Sequence, residues 1–269
     1  MRVRAVRRST LIGVSLLLAA CAVSASCDTA NRIKSKVVAV NLMVDIGDPF
    51  DLAPRRTEIA ANFMSITGPV DQPEAQPLTG ADATLEIENV GGFIQLGETG
   101  AGSGVYQASS GSGNPTFVYT SGAAYTLEVA VDGGKFDGTY RTTVVAPPRT
   151  NVTGLPDTAN GDTIPINTAL TLSLVGNYDR GIVLVVNSAG DVVYDNRPDD
   201  PQAAVDFVFG DFNGQIVIPA NTFTQPGTAY GIVVAGLESA PSSGISTNLN
   251  ILTRFYAGSA KTAIVITDP

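Results

Sequence analysis

Residues 83–88, Ala-Thr-Leu-Glu-Ile-Glu, alternate apolar and polar without a break. A period of two puts Ala83, Leu85 and Ile87 on one face of a strand and Glu86 and Glu88 on the other. The pattern recurs at Ala124–Val131, with Tyr125, Leu127, Val129 and Val131 in phase, and at Ala169–Val175, through Leu170, Leu172 and Leu174. Gly181–Asn187 is a continuous apolar run, as expected of a strand buried on both faces. Gly91-Gly92, Asp132-Gly133-Gly134 and Ser188–Asp191 read as turns between such strands. Short strands punctuated by turns roughly every ten residues, without a long amphipathic helix, predict a β-sandwich or barrel.

Further strands are expected at Lys36–Asp45, Phe93–Leu96, Val105-Tyr106, Thr116–Tyr119, Thr139–Val145, Val192–Asp195, Ala203–Phe209, Gly214–Ile218, Thr228–Ala235, Asn248–Tyr256 and Thr262–Thr267. Arg56–Ile66 reads equally as strand or helix. Residues 67–80 hold three prolines and read as a loop. Ala146-Pro147-Pro148-Arg149 marks a boundary, because two adjacent prolines do not fit a central strand. The expected division is 36–146 and 147–269, each about one domain long.

The first thirty residues have a different character. Arg2, Arg4, Arg7 and Arg8 precede the apolar run Leu11–Ala20, which is too short to span a bilayer, for which about twenty residues are needed. A basic start, a short apolar stretch and small residues before a cut form a secretory signal. Leu18-Ala19-Ala20-Cys21 resembles the lipobox of bacterial lipoproteins. The resemblance implies a signal peptide over 1–20, cleavage between Ala20 and Cys21, and lipidation of Cys21. It also implies three acyl chains, where one would hold only marginally. Ala22 stands where an aspartate marks retention at the inner membrane in enteric bacteria, which implies the outer membrane. An ordinary secretion signal with two spare cysteines is the alternative. Residues 21–35, small and polar, read as a tether.

The chain carries 16 basic and 25 acidic residues. Without the four signal arginines, 12 bases face 25 acids, a net charge of −13. Such a body is unsuited to nucleic acid or to electrostatic adsorption on anionic lipid. The two cysteines, Cys21 and Cys27, lie together near the N-terminus, so with Cys21 lipidated no disulfide staples the fold.

One similarity joins the halves. Gly122-Ala-Ala-Tyr125-Thr-Leu-Glu-Val129 matches Gly227-Thr-Ala-Tyr230-Gly-Ile-Val-Val234. The second copy, from Phe223 to Ala235, resembles the turn-and-strand segment of fibronectin type III and related immunoglobulin-like domains. The resemblance implies two tandem immunoglobulin-like β-sandwiches, with Tyr125 and Tyr230 as tyrosine corners whose hydroxyls bond to backbone upstream. Two core tyrosines in similar strands are the plainer reading. The Trp and Cys of antibody domains are absent.

Chemistry is sparse. The chain has no histidine, which removes Ser-His-Asp and Cys-His nucleophiles and imidazole zinc sites. Gly97–Gly104 lacks the Lys-Ser/Thr of a phosphate loop and reads as a hairpin. Glu86 and Glu88 share a strand face and could form an acid–base pair, but alternate with core residues as a solvated face does. Asp45, Asp48 and Asp51, then Asp157 and Asp162, then Asp195, Asp199 and Asp200 are acidic loop groups that calcium could use. Tyr106, Tyr119, Tyr178 and Tyr194 are the aromatic platforms open to a glycan. The expectation is a non-catalytic, cofactor-free lipoprotein of the outer membrane. It would be held by the lipid on Cys21 and bind an unidentified protein or glycan through its loops. A calcium-dependent adhesive module and a carboxylate-based glycan-active enzyme are the alternatives.

Overall fold

The computed structural model describes residues 32–47, 49–50, 55–69, 74–110, 117–198, 203, 207, 210–241 and 253–269. The signal peptide, Cys21, Cys27, Asp48, Asp51, Asp199, Asp200 and nearly all of the expected strand 203–209 lie outside the described residues. Within them the fold is all-β. Fifteen strands are described: β1 (Arg32–Ile46), β2 (Arg56–Pro69), β3 (Glu74–Pro77), β4 (Asp82–Ile87), β5 (Phe93–Glu98), β6 (Val105–Ser109), β7 (Ala124–Val131), β8 (Gly138–Val145), β9 (Val152–Thr153), β10 (Leu170–Leu174), β11 (Arg180–Asn187), β12 (Val192–Asp195), β13 (Gln215–Ile218), β14 (Ala229–Pro241) and β15 (Arg254–Ile266). Single 3-10 turns sit at Thr158–Asn160 and Ala220–Thr222.

Twelve strands form one sheet in the order β12-β11-β14-β15-β1-β2-β6-β5-β4-β7-β8, with β3 added to β2, and β13-β10-β9 form a second. β14 and β15 pair antiparallel over 13 residues, from Ala229 opposite Ile266 to Pro241 opposite Arg254. At about 3.4 Å per residue they run some 40 Å. β1 lies parallel to the first half of β15, from Val40 opposite Arg254 to Asp45 opposite Ser259.

Side-chain parity along β15 explains the layering. Phe255 and Ala257 belong to a core closed by Ala83, Leu85 and Ile87 of β4 and Leu127 and Val129 of β7. Further along the same face, Val265 belongs to a second core, closed by Leu172 and Leu174 of β10 and Ile216 and Ile218 of β13. Tyr256 and Ala260, of opposite parity, join a third apolar cluster on the other face, with Val44 of β1, Leu184 of β11 and Val233 and Leu237 of β14. β14 and β15 are therefore a common floor carrying two lids. Each buried Leu, Ile or Val contributes about 1.5–3 kcal/mol to holding a lid down. The division at 146/147 separates the lids, whereas β1 and β15 bond across it.

The expected alternations fall where the pattern put them: Ala83, Leu85 and Ile87 are buried, as are Tyr125, Leu127 and Val129. β11 is buried on both faces, Val183 and Val185 toward one core and Leu184 and Val186 toward the other cluster. Arg56–Ile66 is strand. Several boundaries move. Residues 32–35, assigned to the tether, open β1, where Arg32 and Ile33 pair with Pro69 and Gly68 at the far end of β2. The expected loop 67–80 contains the end of β2 and the added strand β3, whose Glu74–Pro77 pairs with Met64–Thr67. Asn248–Tyr256 and Thr262–Thr267 are not separate strands, since β15 runs unbroken from Arg254 to Ile266. The small residues between them mark a tight crossing. A Cβ on Gly258 would lie 2.1 Å from the Gly236 carbonyl oxygen.

Residues 117–119 make no ladder, although Phe117 and Tyr119 are buried. Side chains satisfy this backbone. The Tyr119 N–H donates to Thr57 Oγ1 (2.8 Å), the Val118 carbonyl accepts from the Tyr125 hydroxyl (2.8 Å), and the Thr120 N–H donates to that same hydroxyl (2.8 Å).

Candidate functional site

The densest polar cluster lies where the two lids meet. β1 ends at Ile46, and Asp45 is buried with its side chain on the lid side of the sheet, opposite Ser259. The Arg55 Nε donates to Asp45 Oδ2 at 2.9 Å, and its Nη2 donates to the Asp45 carbonyl (2.8 Å) and to the Ala260 carbonyl (2.5 Å). Arg149, directly after the two prolines, donates from Nη1 to the same Asp45 Oδ2. Its guanidinium lies over the Tyr119 ring, 5.7 Å from the centroid, a cation–π contact. The Tyr119 hydroxyl donates to the Pro147 carbonyl at 2.6 Å. Burial pushes the Tyr119 phenol far above its usual range, with the nearby Tyr125 and the Asp45 charge adding to the shift.

One residue further on, Thr150 crosses the floor. Its N–H donates to Ser259 Oγ (2.7 Å), its Oγ1 donates to the Ser259 carbonyl (2.5 Å), and it accepts from the Gly236 N–H (3.0 Å). Asp45, Arg55, Arg149, Tyr119, Thr150 and Ser259 thus tie β1, the start of β2, the inter-lid segment and both floor strands. This arrangement holds geometry. The carboxylate is consumed by two guanidiniums, and each hydroxyl is spent on backbone. Sequence reasoning singled out Asp45 and Tyr119 but neither arginine. The available signal was Arg149 following Pro147-Pro148, where a rigid segment holds one charge in place.

The Tyr125 hydroxyl bonds at both ends to residues five and seven positions upstream, as described. Tyr230 is buried, and the Gln225 N–H donates to its hydroxyl at 3.3 Å. The Phe223 ring meets it edge-on, centroids 5.3 Å apart. A third tyrosine, Tyr106, does the same work without a sequence signature: it donates to the Leu78 carbonyl and accepts from the Ala81 N–H, both at 2.9 Å.

Among the described residues, the expected acidic side chains are held in local bonds and ion pairs. Glu86 is exposed and pairs with Arg141 at 3.0 Å, while Glu88 accepts from the Ala124 N–H at 3.1 Å. Asp162 accepts from the Asp157 N–H, and Asp157 from the Asn160 side-chain amide. Asp195 takes both Nε and Nη2 of Arg197. Among the described residues, no three of His, Cys, Asp and Glu come together as a metal-binding group. Of the four tyrosines open to a glycan, Tyr106 and Tyr119 are buried, Tyr178 packs on Gly236 and Tyr194 donates to the Val217 carbonyl. In the Gly97–Gly104 hairpin, Glu98 accepts from the Gly104 N–H at 2.9 Å.

On the other face of the floor, Leu42, Ile46, Leu184, Val233, Leu237 and Ala260, with Arg197, line a partly open pocket of about 50 Å³. Pockets for organic ligands run to about 300 Å³ and more. This one is much smaller. Among the described residues no helix is long and apolar enough to cross a membrane.

No protein family matches the sequence, and no curated protein does. Among solved structures, the chain is similar to one described as the crystal structure of chicken CNTN1 FN1-FN3 domains, at 8% identity over 91% of each chain with a TM-score of 0.22. At that score the two chains do not superpose as wholes, and the fold assignment rests on the sheets and cores described above.

Proposed function

We propose that this chain is a non-catalytic structural or binding module of a bacterial cell envelope, held to the outer membrane by lipid on Cys21. The observation that carries the non-catalytic reading is the internal bonding of the described buried polar side chains where the lids meet and around the tyrosines, Asn41 excepted. Asp45 Oδ2 and the hydroxyls of Tyr106, Tyr119, Tyr125, Thr150 and Ser259 are all in internal bonds. The anchor rests on Leu18-Ala19-Ala20-Cys21. Tyr125 and Tyr230 act as tyrosine corners in this reading, each pinning the turn that feeds its strand.

Anchoring at Cys21 dictates which end is presented. Eleven residues lead from Cys21 to Arg32, so the start of β1 lies within about 40 Å of the lipid whatever path they take. β15 continues seven residues beyond its last pair with β1, a further 24 Å or about that. The turn Asn187–Asp191 and the Gln225–Thr228 turn sit beside that distal end, where Gly227 bonds to Asp268. These turns are the surfaces offered to a protein or glycan partner, and tethering raises their effective concentration.

The test is Cys21→Ser. The native protein is expected to sediment with outer membranes and to carry acyl mass on its N-terminal peptide. The variant should lose both. A variant that still sediments with membranes would sink the anchor reading.

A further inference from the structure

The chain contains two Asn-Gly pairs, Asn160-Gly161 and Asn213-Gly214. In such a pair the glycine nitrogen can attack the asparagine side chain, since no Cβ shields the approach. Both asparagines are exposed, and the two pairs differ in how their reacting atoms are bonded. Asn160 closes a 3-10 turn, and the Gly161 N–H donates to the Thr158 carbonyl at 3.2 Å. Its side-chain amide is also held, donating to Asp157 Oδ2 at 2.7 Å. Both nucleophile and electrophile are engaged.

Asn213 is exposed at the turn that enters β13. Among the described residues nothing accepts from the Gly214 N–H. Gly214 is half-buried, and a Cβ on it would meet only the Leu174 carbonyl oxygen, at 3.5 Å. The Asn213 Oδ1 accepts from the Gln215 N–H at 3.0 Å. That bond folds the side chain back across the Gly214 peptide and puts a donor on the oxygen where negative charge develops during attack.

We infer that Asn213 is a self-modification site, converted through a succinimide while Asn160 is spared. Hydroxide removes the Gly214 amide proton, and the nitrogen attacks Asn213 Cγ. The Cγ–Nδ2 bond breaks and ammonia leaves, taking its third proton from water. The closed ring joins Cγ to the Gly214 nitrogen. Water then adds to one of the two ring carbonyls, giving aspartate or, with the chain rerouted through the side chain, isoaspartate. Nothing is oxidised or reduced, and the sum is water in and ammonia out. The isoaspartate form lengthens the backbone by one carbon directly before Gly214, one residue ahead of Gln215, which pairs with Ser173. It also moves the Gly214 carbonyl that accepts from Leu174 N–H at 2.8 Å. The lid of the second core is then unpinned at one corner.

The experiment is ageing of the full chain in mildly alkaline buffer, followed by peptide mapping that separates Asn, Asp and isoAsp at both positions. The same is done in denaturant, where both pairs lose their surroundings. In the folded protein Asn213 is expected to convert on the order of tenfold faster than Asn160, the scale of one placed or removed hydrogen bond. In denaturant the two rates should converge. Equal rates in the folded protein, faster loss at Asn160, or no conversion at Asn213 would each overturn the inference. Asn213→Ser, which keeps a turn-forming oxygen, should abolish the acidic aged species; its persistence would assign the species to another site.

Discussion

Arg149 reaches back 104 positions to share the Asp45 carboxylate with Arg55. The three charges sit where the inter-lid segment crosses the floor, so they fix one lid relative to the other. Asp45 is buried, while the side chains of Arg149 and Arg55 are 55% and 37% exposed. Removing the acid frees two cations that can turn to water, which limits the loss below that of a fully buried pair. Asp45→Ala is expected to cost about 2 kcal/mol in urea unfolding, and Arg149→Ala less than about 1 kcal/mol. Equal losses would mean that Arg149 acts mainly by packing on Tyr119.

Asn41 makes the opposite case. It sits in β1 between Ala61 and Phe255, fully buried, and neither its Oδ1 nor its Nδ2 has a partner among the described residues. A buried amide without hydrogen bonds costs roughly 1–3 kcal/mol. Asn41→Leu keeps the branching and the number of side-chain heavy atoms, is somewhat larger, and faces the apolar first core. It should raise the unfolding midpoint in urea by an amount equivalent to about 1 kcal/mol or more. A drop for Asn41→Leu together with a drop for the smaller Asn41→Val would overturn this expectation.

The alternation at 83–88 and 124–131 was legible because each of those strands buries one face, and burial enforces a period of two. The long floor was not. β15 reads as two strands because Gly258, Ser259 and Ala260 carry no apolar signal. They are small because Gly258 meets the Gly236 carbonyl and Ser259 holds Thr150. The parallel pairing of β1 with β15 joins residues more than two hundred positions apart, and no local pattern records it. Asp45 was visible as an acid near a proline-containing loop. Its partners were not, because nothing local to Arg55 or Arg149 says which carboxylate each will find.

Tyr125 and Tyr230 match in sequence but differ in bonding, and this difference predicts an asymmetry. The Tyr125 hydroxyl donates to the Val118 carbonyl and accepts from the Thr120 N–H, both at 2.8 Å. Those two backbone groups belong to a stretch without a ladder. The Tyr230 hydroxyl accepts one longer bond, from Gln225 N–H at 3.3 Å. Tyr125→Phe should therefore cost about 1–2 kcal/mol and Tyr230→Phe less than about 1. Each ring stays in place, so apolar burial cancels in the comparison. Equal values from chemical denaturation would contradict the bonding difference.

The buried phenols also set an alkaline limit. Burial pushes Tyr256 up to about 12, against the opposing pull of Arg180 and Arg254, and raises Tyr106, Tyr119 and Tyr125 as well. In the unfolded chain these groups titrate near 10. Between about 10 and 12 the unfolded state has lost protons that the folded state keeps, so stability falls as pH rises through that window. Below about 10 the contribution of neutral burial is complete. Thermal unfolding should thus be flat in this respect up to about pH 10 and fall steeply above it, with tyrosinate absorbance rising together with loss of the β signal in circular dichroism. Tyr256→Phe should flatten the upper part of that fall, because a group that cannot ionise contributes no slope. A tyrosinate signal that completes near pH 10 while the fold persists would mean the phenols are solvated.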